Sequence, residues 1–111
     1  MILWHNPRCS KSRDTLALLQ AQGHKPALRL YLIDPPSEQD LRDLLATLGM
    51  TASAFIRRKE PLFADLGLAT TDDATLIRAM AKAPRLIERP VLIANGRAAI
   101  GRPPENVLSI L

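Results

Sequence analysis

The sequence predicts an α/β fold: a four-stranded mixed sheet with a helical insert after the second strand. Three observations carry this expectation. The N-terminal third reads strand, helix, strand. The middle third has helical periodicity only. The last third holds an Asn-Gly hairpin signal followed by a short apolar helix. The 111 residues suit one domain, spanning 1–111, with the insert over about 37–83.

Residues 2–5 (Ile-Leu-Trp-His) read as a short buried strand, and Asn6-Pro7-Arg8 as a turn. From Ser10 to Gln22, Leu16, Leu18 and Leu19 fit one helical face, and Gly23 stands where a helix ends. Residues 27–32 (Ala-Leu-Arg-Leu-Tyr-Leu) form the second strand, punctuated by Pro26 and Pro35-Pro36. Such a unit makes the two strands parallel, with a right-handed crossover.

Ser37 with Asp40 resembles a capping box, Asp standing in for Glu. Leu41, Leu44, Leu45 and Leu48 recur at helical spacing up to Gly49. Thr51 suits the cap of a short helix carrying Ala54, Phe55 and Arg57, and Pro61 opens another that ends near Gly67. Thr71 or Asp72 caps a helix with Leu76, Ile77 and Met80, which Pro84 terminates.

Val91-Leu92-Ile93-Ala94 and Arg97-Ala98-Ala99-Ile100 flank Asn95-Gly96, the preferred pair for a type I′ turn. Pro103-Pro104 opens the last helix, with Val107, Leu108 and Leu111 apolar. The order β-α-β, helices, β-β-α, with helices on both faces of the sheet, is the thioredoxin-like plan.

Composition narrows the function. With 47% hydrophobic and 23% charged residues the chain is an ordinary globular protein. No apolar run reaches the ~18 residues of a membrane span, and basic residues follow rather than precede the short apolar start, unlike a secretory signal. The net charge is +4, and only Lys11, Lys25, Lys59 and Lys82 are lysines. Arginine excess suits bidentate recognition of oxyanions. Trp4, Tyr31, Phe55 and Phe63 form no stacking platform, so nucleic acid is not an expected partner. Cys9 is alone, which rules out an intrachain disulfide and a cysteine metal cluster. His5 and His24 lack metal-ligand spacing, so no metal is expected. A lone thiol suits the reducing cytoplasm.

Cys9 falls between the first strand and the first helix. There it meets unpaired N–H groups and the positive end of the helix dipole, and Arg8, Lys11 and Arg13 add charge. Thiols so placed are acidic and reactive. Cys9 and Ser12 form C-x-x-S, so the resolving thiol must come from outside. Ser12 either donates to the Cys9 sulfur or bonds locally within the first helical turn; Ser10 and Lys11 have the same two readings. His5 either supports the thiolate through the loop or only staples that loop. Arg57, Arg89 and Arg102 fall at the ends of elements that should converge on the thiol, a setting for a tetrahedral oxyanion. By analogy with thioredoxin-like folds, the Arg89–Pro90 bond is expected to be cis.

The segments HNPRCSKSRDTL (5–16), YLIDPPSEQDLRDLL (31–45), FIRRKEPL (55–62), LIERPVLI (86–93) and IGRPPENVL (100–108) together resemble the glutaredoxin-dependent arsenate reductases, an ArsC-like family, and its short branch most closely. The likeness runs through essentially the whole chain. It implies that Cys9 attacks arsenate, that His5 supports the thiolate, and that Arg57, Arg89 and Arg102 bind and polarise the oxyanion. The carry-over to Arg57 rather than Arg58 rests on the Phe55-Ile56-Arg57 match alone. The resemblance further implies glutathione as co-substrate, glutaredoxin to clear the mixed disulfide, and no bound cofactor; a monomer is expected. Arg8 stands where the best-known members have a small residue, and longer members continue past the position of Leu111. The same superfamily holds Spx-type regulators that bind RNA polymerase. Those carry C-x-x-C where this chain has Cys9 and Ser12. A glutathione-linked thiol transferase without arsenate activity is a third reading.

Overall fold

The computed structural model describes residues 1–111. They divide into two compact units, one of residues 1–34 with 89–111 and one of residues 35–88.

The first unit holds the sheet. Its strands β1 (Ile2–Trp4), β2 (Ala27–Arg29), β3 (Val91–Ala94) and β4 (Arg97–Ile100) lie in the order β2-β1-β3-β4. β1 runs parallel to β2 and antiparallel to β3, and β3 to β4, so the sheet is mixed as expected. The two-residue turn between β3 and β4 places Asn95 at φ 56° and Gly96 at φ 71°. A type I′ turn demands both left-handed conformations, and Asn and Gly tolerate them best.

The helix α1 (Ser10–Ala21) and a C-terminal 3-10 helix (Pro104–Ile110) pack on each other. Leu3 and Leu92 pair across the sheet and, with Ala94, meet Leu19, Val107 and Ile110 in one buried cluster. Both helices of this unit therefore lie on one face of its sheet. Burying each such leucine contributes about 1.5–3 kcal/mol. Two boundaries differ from expectation. β2 stops at Arg29, because the amides of Ile33 and Asp34 turn back onto the Leu30 carbonyl at 3.0 and 2.8 Å. The last helix is 3-10 rather than α.

The second unit is helical: α2 (Glu38–Leu48), α3 (Ala52–Phe55), α4 (Pro61–Asp65) and α5 (Asp73–Lys82), with 3-10 turns at Leu68–Thr70 and Pro84–Leu86. α5 packs against α2, α3 and the Pro84–Leu86 turn, burying Leu76, Ile77 and Met80. Ser37 and Asp40 complete the reciprocal capping box, Thr51 accepts from the Ala54 amide at 3.1 Å, and Asp72 from the Thr75 amide at 2.9 Å. Each such cap satisfies an amide that would otherwise lack a helical partner. No helix is long and apolar enough to cross a membrane.

Candidate active site

Cys9 is the N-cap residue of α1, half-buried and with extended backbone angles. The loop before it is closed by its own hydrogen bonds. The Cys9 amide donates to the Asn6 carbonyl at 3.0 Å, the Arg8 amide to Asn6 Oδ1 at 3.0 Å, and Arg13 Nη1 to the Pro7 carbonyl at 3.0 Å. These bonds leave the sulfur at the mouth of the helix, where the first-turn amides have no helical acceptor.

Burial alone would push the Cys9 thiol up. The Ser12 amide, the Arg89 charge, the Lys11 amide and the Arg102 charge together outweigh it and hold the thiol below its ordinary value. Arg102 Nη2 lies 3.8 Å from Cys9 Sγ, and its Nε donates to the Arg89 carbonyl at 2.8 Å. One guanidinium thus links the thiol to the backbone ahead of Pro90. The Arg89–Pro90 bond is cis, as expected, and so is Arg102–Pro103.

Ser12 settles between its two readings in an unforeseen way. Its backbone N–H, not its hydroxyl, serves Cys9. The hydroxyl is fully buried, accepts from the Asn6 amide at 3.0 Å and sits 2.6 Å from His5 Nδ1. Ser12 Oγ accepts from the Asn6 amide and still has a hydrogen to donate to Nδ1 and a lone pair to accept from Nδ1–H, so it can pair with either tautomer of the neutral imidazole. Burial lowers the pKa of His5, which favours that neutral form. Lys11 contributes through its amide, and Ser10 is exposed.

His5, Cys9, Ser12, Arg89 and Arg102 thus come together within the sheet unit. Arg57 belongs to the helical unit. The sequence suggested a place on the short helix, but α3 ends at Phe55 and Arg57 follows it outside any helix. Its amide donates to the Leu86 carbonyl at 2.9 Å, its Nη1 to the Arg85 carbonyl at 3.0 Å, and Glu60 Oε2 stands 3.8 Å from Nη1. Arg58 bonds Ser53 and stacks over Phe63 at 5.3 Å. No group of three or more His, Cys, Asp or Glu side chains is arranged to hold a metal.

The family model of the ArsC family matches residues 4–110. The chain belongs to the ArsC family. It is 51% identical to the uncharacterized protein YfgD of Escherichia coli K12 over 98% of this chain and 94% of that one. It is 44% identical to an arsenate reductase of Neisseria meningitidis, over 98% of this chain and 96% of the relative. Among solved structures, an arsenate reductase from Vibrio cholerae superposes with a TM-score of 0.96 at 48% identity, covering 99% of this chain and 96% of that one. The thioredoxin-like fold of the ArsC family is therefore the fold of this chain.

Sequence reasoning missed two residues near the site. Thr15 is fully buried on α1 and donates to the Lys11 carbonyl at 2.8 Å. Gly101, ahead of Arg102, lies so close to Thr15 that no side chain fits. A hydroxyl on the buried stripe of a helix and a glycine outside any turn were the signals available.

Proposed function

We propose that this protein is a thiol-dependent arsenate reductase. The observation that carries the reading is the Arg102 guanidinium 3.8 Å from a Cys9 sulfur at a helix N-terminus. Cys9 attacks arsenic as the thiolate. An As–O bond breaks, the oxygen leaves as water after protonation, and a Cys9–S–As(V) adduct forms. Glutathione thiolate then attacks the Cys9 sulfur. The S–As bond breaks with its electron pair left on arsenic, releasing arsenite, As(III), and a Cys9–glutathione disulfide. Glutaredoxin exchanges with that disulfide and returns the Cys9 thiolate.

Each residue has a part in this scheme. Arg89 and Arg102 hold the arsenate oxygens and offset the repulsion between two anions, which is about 4 kcal/mol for unit charges ~4 Å apart near a protein surface. Arg57 is assigned to the same oxyanion through its match to the family pattern. His5, through Ser12, keeps the Cys9 loop in place. Thiols supply both electrons, so no bound cofactor is required, and the chemistry suits a monomer in the reducing cytoplasm.

The test is arsenite production by the pure protein with glutathione and glutaredoxin, beside Cys9→Ser. Turnover lost in Cys9→Ser supports the reading. No arsenite from the parent protein, with Cys9 still forming a glutathione adduct, points to a thiol transferase instead.

A further inference from the structure

We propose that Gly101 is a positioning residue for Arg102: its missing side chain lets the end of β4 close onto Thr15 and Pro90, and that close approach sets the guanidinium against Cys9. The inference rests on the reading of Cys9 and Arg102 as attacking group and oxyanion holder.

The other four glycines have positive φ and open space around them. Gly101 is the reverse. Its φ lies outside the left-handed region, so its backbone does not require glycine. Space does. A Cβ there would stand 2.5 Å from Thr15 Oγ1, 2.8 Å from Pro90 Cγ and 3.2 Å from Thr15 Cγ2. Neither neighbour has room to yield. Thr15 is fully buried and its hydroxyl is committed to the Lys11 carbonyl, and Pro90 is buried. The Gly101 amide donates to the Pro90 carbonyl at 2.9 Å, which pins the chain at this spot.

Arg102 is the next residue. Its Nε reaches the Arg89 carbonyl and its Nη2 the Cys9 sulfur at 3.8 Å, a separation near the limit for a bond to sulfur. A methyl at position 101 forces the end of β4 away from α1, and α1 carries Cys9 at its N-cap. The separation that suffers is the one between guanidinium and sulfur.

The test is the pH midpoint of Cys9 alkylation by iodoacetamide in the parent, Gly101→Ala, Arg102→Ala and the double variant, with arsenate turnover measured alongside. Loss of Arg102 should raise the midpoint by roughly one pH unit, and Gly101→Ala by roughly half of that. The double variant should match Arg102→Ala alone, because Gly101 acts only through that guanidinium. Arsenate kcat/KM should fall about tenfold in Gly101→Ala, a change of about 1.4 kcal/mol. A parental midpoint in Gly101→Ala, or additive shifts in the double variant, overturns the proposal. An unchanged midpoint in Arg102→Ala overturns the reading beneath it. If Gly101→Ala alone does not fold, the pair with Thr15→Ala decides. Pro90 still meets the new methyl, so the pair's midpoint must exceed that of Thr15→Ala alone; equality overturns the proposal.

Discussion

Ser12 Oγ and His5 Nδ1 lie 2.6 Å apart with both residues buried, so the serine of C-x-x-S braces the histidine rather than facing the thiol. Ser12→Ala removes the oxygen and leaves the buried His5 Nδ1 and the half-buried Asn6 amide without their partner. An unmet buried group costs about 1–3 kcal/mol. Thermal unfolding should therefore move down by several degrees. Cys9 alkylation at neutral pH should stay fast, because the Ser12 amide that serves the sulfur remains. A large loss of thiol reactivity with unchanged stability contradicts this assignment.

His5 predicts an acid limb in stability. Its folded pKa is lowered by burial, so below the unfolded value of ~6.5 the unfolded chain binds a proton that the native state resists. Its effect on stability is absent above that value and becomes unfavourable as pH falls through it. Denaturant midpoints between pH 7.5 and 5 should fall in the parent protein and fall less in His5→Gln.

The arginines should separate charge from geometry. Lysine keeps the charge of Arg89 or Arg102 but not the planar fork. Arg89→Lys and Arg102→Lys should fold and still react with neutral alkylators, yet lose ~10²-fold or more in arsenate turnover, the scale of one lost transition-state donor. Arg57→Lys should behave likewise, and Arg58→Lys should turn over like the parent. Steady-state arsenite production checks all four. Parental turnover throughout would make these arginines surface charges or docking contacts.

Oxidised glutathione should trap the chain as an adduct carrying one glutathione. Cys9 is the only cysteine, and no second thiol can expel the glutathione. Intact mass spectrometry reads the adduct directly, and glutaredoxin should remove it. A stable covalent dimer without adduct contradicts the scheme.

Local chemistry was legible in the sequence because each signal acts within a few residues. Ser37 and Asp40 bond across three positions, Thr51 and Ala54 across three, and Asn95-Gly96 needs only its own backbone angles. The placement of Cys9 at the start of α1 was readable for the same reason: a strand ends, a turn intervenes and a helix begins. Boundaries failed where one local hydrogen-bonding pattern competes with another of similar reach. β2 lost residues 30–32 to a turn onto the Leu30 carbonyl, and the C-terminal helix tightened to 3-10.

Tertiary structure alone decided which groups meet the thiol. Arg102 and Cys9 are 93 positions apart, Arg102 and Arg89 are 13 apart, and no periodicity links them. The pairing of β3 with β1 brings the strand that follows Arg89–Pro90 beside the strand that leads into the Cys9 loop. The missing Cβ of Gly101 then sets how near the end of β4 lies to α1. A pattern of residue types can name the thiol and the arginines. The distance between them depends on how tightly strands and helix pack, and that is fixed by excluded volume among residues far apart in the chain.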